Sequence, residues 1–372
     1  MLGGTDLLQI KLENGMTVSE TPIASTTSRA HPIRMPFVPS GAVTGIGSLP
    51  LMSAASAIQA IAEFSAEIPF WPQLPQLSDR ESIIGQGLGI VADHIEPRNQ
   101  GYGYQVKEGR IDSVLEVLHR SDGELTPENA AGFWAFEKAL SSGTFDSAVA
   151  VKGQIEGPIT LSAYLFHRGR PFLCDSALFS AIAFHVSQIV CWQMKRLQMA
   201  DLPVLLFVDE PALCLEINTG NSISEEKVLD ALTAILEDVR VRGAYAGLHC
   251  CAARPFERMR RVKPDILSFD AHEGLDVFFS DSHVLDFVHM GGMVAYGIVP
   301  TRTGVNAVDS AKIFLRWLQA ASHAGDPQEF AQRALITATC GLGLLDQSSI
   351  SESFGAAHAI SRMIKALAGT PE

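Results

Sequence analysis

LPVLLFVDEPA, residues 202–212, decides how this chain folds. Its apolar run Val204–Val208 is too short for a core helix and has no polar alternation, the pattern of a strand buried on both faces. The run delivers Asp209 and Glu210 to its end, and Pro211 stops it from continuing as a strand. A helical pattern over residues 224–241 follows, and then a second strand-like run, YAGLHCCA (245–252). The alternation extends in both directions. Upstream lie VTGIGSLP (43–50) and AVAVKGQIEGP (148–158); downstream lie DILSFDAHEG (265–274), GGMVAYGIVPT (291–301) and ALITATCGLGLL (334–345). Helical patterns over 51–65, 175–200, 307–323 and 352–368 separate these runs.

Strands that alternate with helices form a parallel sheet. The number of repeats favours a closed (β/α)8 TIM barrel over residues 39–372, with a doubly wound open sheet as the alternative. Residues 1–38 are polar and irregular and read as an N-terminal extension. Residues 67–110 are rich in Pro and Gly, long for a strand-to-helix connection, and predict a rim or lid.

The chain has 372 residues, 47% of them hydrophobic, enough for a large core. Its 41 acidic and 28 basic residues leave a net charge of −13 without a basic stripe, which argues against a nucleic-acid partner. The N-terminus lacks the basic and apolar regions of a secretory signal. The most apolar stretch, 176–194, is interrupted by Ser180, His185, Ser187 and Gln188 and reads as a buried helix capped by Asp175, so no membrane partner is expected. The six cysteines form no disulfide pattern and suit the cytoplasm.

Side chains on a strand alternate faces, so His249 and Cys251 point one way and Cys250 the other. Glu273 ends the following run and Cys340 ends ITATC. On a barrel all four would gather at the C-terminal face, where such folds carry their active sites. Two thiolates, an imidazole and a carboxylate suit tetrahedral Zn2+, and the sulfur-rich set argues against magnesium or calcium. Gly45 and Gly47 in GIGS let the backbone approach a small ligand closely, with the Ser48 hydroxyl beside it. Asp209, at the end of its strand, can hold an amino group or a metal, or act as acid or base.

These residues resemble the catalytic domain of cobalamin-independent methionine synthase. The resemblance rests on HxC, the later Glu and CGL, together with GIGSLP, IEGPITL, VDEPAL and HIEPRN, and spans about residues 40–370. It implies a (β/α)8 barrel whose zinc binds the thiol of homocysteine and lowers its pKa, so that a thiolate attacks a methyl group. It implies zinc ligation by His249, Cys251, Glu273 and Cys340. By the same resemblance, Ile46, Gly47 and Ser48 hold the amino acid's carboxylate, and Glu96 and Asp209 hold its ammonium. At Glu96 the segment reads IEP where the family has GE.

Three departures bear on the methyl donor. The folate-using family members carry a second, N-terminal barrel, for which this chain has no room. Val299 stands where they have a histidine, and Tyr164 where they have a tryptophan. Transfer from methyltetrahydrofolate expels an amine that needs a proton, and no separate general acid is identified here. Methylcobalamin instead gives up its methyl group with cob(I)alamin as the leaving group, which needs no proton. The expected reaction is therefore methyl transfer to homocysteine, giving methionine, from methylcobalamin or a partner corrinoid protein. The alternatives are alkyl transfer to another thiol such as coenzyme M, a zinc- and thiol-binding scaffold or sensor without turnover, and a decarboxylase-like barrel without zinc.

Overall fold

The computed structural model describes residues 34–215, 223–301 and 309–369. Most of the expected N-terminal extension, residues 1–33, lies outside the described residues, as do residues 307 and 308 of the helix expected over 307–323.

The strands are β1 (Ala42–Val43), β2 (Ile95–Pro97), β3 (Tyr104–Val106), β4 (Val151–Glu156), β5 (Leu165–His167), β6 (Arg170–Pro171), β7 (Val204–Asp209), β8 (Tyr245–Cys250), β9 (Ile266–Asp270), β10 (Met293–Val299) and β11 (Ala334–Ala338). The helices in the first half are α1 (Ala54–Phe64), α2 (Ile83–Gly87), α3 (Ile111–His119), α4 (Ala131–Ser141), α5 (Pro158–Tyr164) and α6 (Ser176–Leu197). Those in the second half are α7 (Glu225–Arg240), α8 (Phe256–Arg261), α9 (Ala271–Ser280), α10 (Ser282–His289), α11 (Ser310–Ala324), α12 (Pro327–Gln332) and α13 (Ser348–Ala368).

Seven strands form one parallel sheet in the order β1-β11-β10-β9-β8-β7-β4. Both edges of this sheet meet the segment 67–73. On one side Gln73 N donates to Gly47 O at 3.1 Å and Leu49 N to Gln73 O at 3.0 Å, and on the other Lys152 N donates to Pro69 O at 2.9 Å. These contacts form isolated parallel bridges, Ser48 with Gln73 and Phe70 with Lys152, in place of a ladder. Pro69 and Pro72 have no N–H to give, which prevents a continuous strand there. The fold is thus a curled, TIM-barrel-like α/β sheet; among the described residues seven strands are laddered, and the segment 67–73 meets their two edges through isolated bridges.

Pleating sorts the side chains into two cores. Outward residues such as Val204, Leu206, Val208, Leu248, Cys250, Leu267 and Ile336 pack with the helices. Inward residues form a separate cluster from Ala42, Ile68, Ala150, Leu205, Phe207, Tyr245, Ile266, Met293, Ala295 and Leu335, sealed below by Phe37. Arg34 stacks 4.2 Å from the Tyr245 ring and pairs with Asp265 at 3.1 Å. The sheet interior is therefore apolar at its N-terminal end. Further along the same strands the inward positions become polar: Lys152, Gln154 and Glu156 on β4, Asp209 on β7, His249 on β8 and Ser268 on β9 are all buried.

Helix α6 is the one described helix long and apolar enough to cross a membrane, but more than half of its apolar window is buried in the protein. Asp175 caps it, accepting from Ala177 N and Leu178 N. A second, small sheet, β2-β3-β5-β6, stands beside the C-terminal end of the main one and was not foreseen, because its strands are only two or three residues long.

Candidate functional site

Parallel strands put all their C-termini at one end of the sheet. A cavity of about 280 Å3 opens there. Asp209, His249, Cys251 and Cys340 line it from β7, β8 and the turn after β11, with Glu156 from the end of β4. Ile46 and Ser48 form one side, and Tyr102 and Leu344, 63% and 91% exposed, stand at the rim.

His249 follows the inward phase of β8, and its Nδ1 lies 2.8 Å from the Ser268 hydroxyl on β9. This contact fixes the ring and leaves Nε2 available. The Cys251 thiol lies near both His249 and Cys340, and all three line the same cavity. The neighbouring Cys340 is the main cause that pushes the Cys251 thiol well above its ordinary pKa; burial adds to this and His249 opposes it. Cys250 points outward into the helical layer, as alternation requires.

Glu273 is placed differently. Strand β9 ends at Asp270, which becomes the N-cap of α9 and accepts from Glu273 N at 3.1 Å. Asp270 to Glu273 thus has the spacing of a capping box, and the Glu273 side chain is exposed and outside the cavity lining. Among the described residues, no three His, Cys, Asp or Glu side chains converge closely enough to hold a metal ion as they stand. The donor chemistry of His249, Cys251 and Cys340 nevertheless fits a zinc site of the Cys2His kind that keeps a position open.

The GIGS segment has a structural role as well as a place in the wall. A Cβ on Gly45 would meet the Phe70 ring at 2.3 Å, and one on Gly47 would meet Gln73 Oε1 at 2.6 Å and Gln154 at 2.9 Å. These glycines make room for the segment that bridges the sheet edges, and Gly47 does not itself line the cavity. Ser48 Oγ accepts from Gly343 N at 3.2 Å, and a Cβ on Gly341 would overlap it. The glycines of CGLG thus let the turn after β11 press against Ser48.

Glu96 lies on β2, where Ile95 is buried and Glu96 faces out; its Oε1 accepts from Gln105 Nε2 at 2.8 Å. It is not in the cavity lining. Two other carboxyls are. Glu81 is occupied, accepting from Ala131 N and from Gln86 Nε2. Glu156 is fully buried, and neither of its oxygens has a hydrogen-bond partner. Burial, then Asp209 and Glu210, raise its carboxyl well above the usual range.

Asp209 and Glu210 divide their work. Asp209 faces the cavity with Oδ1 unpartnered, and burial raises its pKa against the pull of His249 and Lys152. Glu210 turns the other way and caps α5, accepting from Ile159 N and Thr160 N at 2.8 Å and from the Thr160 hydroxyl at 2.6 Å. Burial lifts it to about 7.

Lys152, beneath the cavity, donates to Ile46 O at 2.5 Å and to Gln154 Oε1 at 2.9 Å, which ties the GIGS segment to β4. Burial lowers its pKa to about 8, while Asp209 raises it. The sequence reading passed over Lys152 and Glu156. Their signal is the polar residues Lys152, Gln154 and Glu156 at a period of two on a buried strand.

No family model and no curated protein matches this chain. Solved structures do. A B12-independent methionine synthase from Shewanella sp. W3-18-1, in complex with selenomethionine, superposes with a TM-score of 0.51 at 13% identity, over 88% of this chain and 98% of that one. The likeness is one of fold. A GH113 β-mannanase from Alicyclobacillus acidocaldarius (TM-score 0.43, 11% identity, 90% and 98% coverage) and an L-ribulose 3-epimerase (0.38, 15%, 68% and 89%) are more distant.

Proposed function

We propose that this chain is a zinc-dependent methyltransferase that moves a methyl group to a thiol, with homocysteine as acceptor and methionine as product. The observation that carries the reading is the gathering of His249, Cys251 and Cys340 in the wall of one cavity at the C-terminal mouth of the sheet. The fold shared with a B12-independent methionine synthase supports it. In this reading the segment 67–73 serves as the eighth stave of a (β/α)8 barrel, since it meets both sheet edges.

His249, Cys251 and Cys340 would hold the zinc, with Glu273, one turn into α9, completing the set from outside the present cavity. Zinc supplies a thiolate at neutral pH from a thiol that would otherwise stay protonated. The chain's own residues do the rest. Ser268 orients the His249 ring. Lys152 and Gln73 hold the GIGS segment, whose Ile46 and Ser48 face the substrate's polar end. Asp209 offers a bare carboxylate oxygen to an ammonium.

The donor favoured here is a methyl-corrinoid, free or on a partner protein, over methyltetrahydrofolate. Val299 is fully buried and has no proton to give a leaving amine. The test offers homocysteine with methylcobalamin and with methyltetrahydrofolate in turn to the zinc-loaded protein. Methionine should form from methylcobalamin at least tenfold faster, about 1.4 kcal/mol in barrier height. Equal rates overturn the donor assignment, and no methionine from either overturns the activity.

A further inference from the structure

Among the described residues, Glu156 is the carboxyl that is fully buried with both oxygens lacking a hydrogen bond. The nearby Thr160 hydroxyl gives its hydrogen to Glu210 instead. Directly across the ladder, in register with Glu156 on β7, stands Asp209 with its own bare Oδ1. Three acceptor atoms on adjacent strand ends therefore face one cavity with nothing to accept from.

The charge around them is one-sided. Among the described residues, no Lys or Arg lines the cavity. Lys152 sits a layer lower on β4 and is engaged by Ile46 O and Gln154 Oε1. Tyr102, at the cavity rim, lies close enough to feel the Glu156 charge. Buried carboxyls are normally paired or hydrogen-bonded, and bare acceptors in a low-dielectric site are costly until a ligand satisfies them. Such an arrangement favours a ligand that brings positive charge, and a tyrosine ring at the entrance adds to that preference.

We infer that Glu156, together with Asp209, forms a cation-binding subsite of this cavity that takes a positively charged nitrogen or sulfur centre of the ligand. This deepens the methyltransferase reading and rests on it for the ligand's identity. The positive centre has two sources there. It is the ammonium of an amino-acid thiol, with Glu156 filling the part the resemblance implies for Glu96, or it is an onium centre of a methyl donor. An onium donor loses its methyl group as a neutral thioether or amine and so needs no general acid.

Calorimetry without any turnover separates the two. The zinc-loaded wild type and Glu156→Gln are titrated with L-methionine, with its des-amino analogue 4-(methylthio)butyrate, and with dimethylsulfoniopropionate. The wild type should bind at least one of the two cationic probes about tenfold or more tightly than the des-amino analogue. Glu156→Gln should abolish that preference and leave 4-(methylthio)butyrate unchanged, since a hydrogen bond to a charged group is worth about tenfold or more. Loss confined to L-methionine assigns the ammonium; loss confined to dimethylsulfoniopropionate assigns the onium; loss of both assigns a shared subsite. Unchanged cation binding in Glu156→Gln overturns the inference, as does failure of the wild type to prefer either cation. A parallel loss of zinc, or of all three probes, in a folded Glu156→Gln also overturns it, because Glu156 would then serve the metal or the framework. If Glu156→Gln does not fold, Glu156→Thr is read in the same way. Binding that behaves as expected in a protein that transfers no methyl group would leave the subsite standing and remove only the activity.

Discussion

Cys251 and Cys340 line the same cavity although β9 and β10 lie between their strands in the sheet. They come together because the sheet curls, so that the exits of β8 and β11 face each other over the cavity. Three consequences of this arrangement and of the packing around it can be measured.

Metal content should follow the inward phase of β8. Cys251→Ser and Cys340→Ser are expected to lose most of the bound zinc. Cys250→Ser, one residue from Cys251 but packed among the helices, should keep it. Ser268→Ala, which frees the His249 ring, should weaken zinc binding roughly 10–100-fold without abolishing it. Elemental analysis and competition with a chelator report all four. Full zinc in Cys251→Ser would remove the ligand assignment.

Gly45 tests the closure of the sheet edges. A methyl group there would overlap the Phe70 ring, which lies at the bridge between β4 and the segment 67–73. Gly45→Ala should lower the unfolding free energy by roughly 1–3 kcal/mol, the usual cost of overpacking. A denaturation midpoint equal to that of the wild type would mean that Phe70 has room to move and that the edge contacts are loose.

His185 on α6 should make stability fall in mild acid. Its Nδ1 lies 2.6 Å from the Ser121 hydroxyl and its Nε2 2.9 Å from Gly87 O, and burial lowers its pKa from 6.5 to about 4. The folded-state value is the lower one. The stability this neutral ring contributes is therefore present above about pH 6.5 and lost as pH falls from there toward 4. The shift corresponds to something on the order of 3 kcal/mol. Urea midpoints measured between pH 7.5 and 4.5 should drop more steeply for the wild type than for His185→Gln, and parallel curves would contradict the assignment.

The parts of this protein that were legible in its sequence are those set by a simple period. Apolar runs ending in small or acidic residues marked the seven laddered strands, because strands covered on both faces have no reason to alternate. Asp175 marked the start of α6 for an equally local reason. The segment 67–73 was not legible as a wall of the sheet, since Pro69 and Pro72 erase the strand signature while its neighbours still bond to it. Glu96 was drawn to the site by resemblance and Glu273 by its place at a strand end, and local geometry puts both outside the cavity lining. The pleat of β2 turns Glu96 out, and the cap at Asp270 commits Glu273 to the first turn of α9. Glu156 was passed over because IEGPITL drew attention as a motif, when the informative pattern was its phase with Lys152 and Gln154.

The central claim is a zinc ion held by His249, Cys251 and Cys340 with a position open to a substrate thiol. X-ray absorption at the zinc edge, before and after homocysteine is added, tests it most directly. The expected spectrum without substrate has two sulfur neighbours at about 2.3 Å and at least one nitrogen or oxygen neighbour, and homocysteine adds a third sulfur. A sulfur count that does not change on adding homocysteine, or a shell without sulfur, would contradict the account.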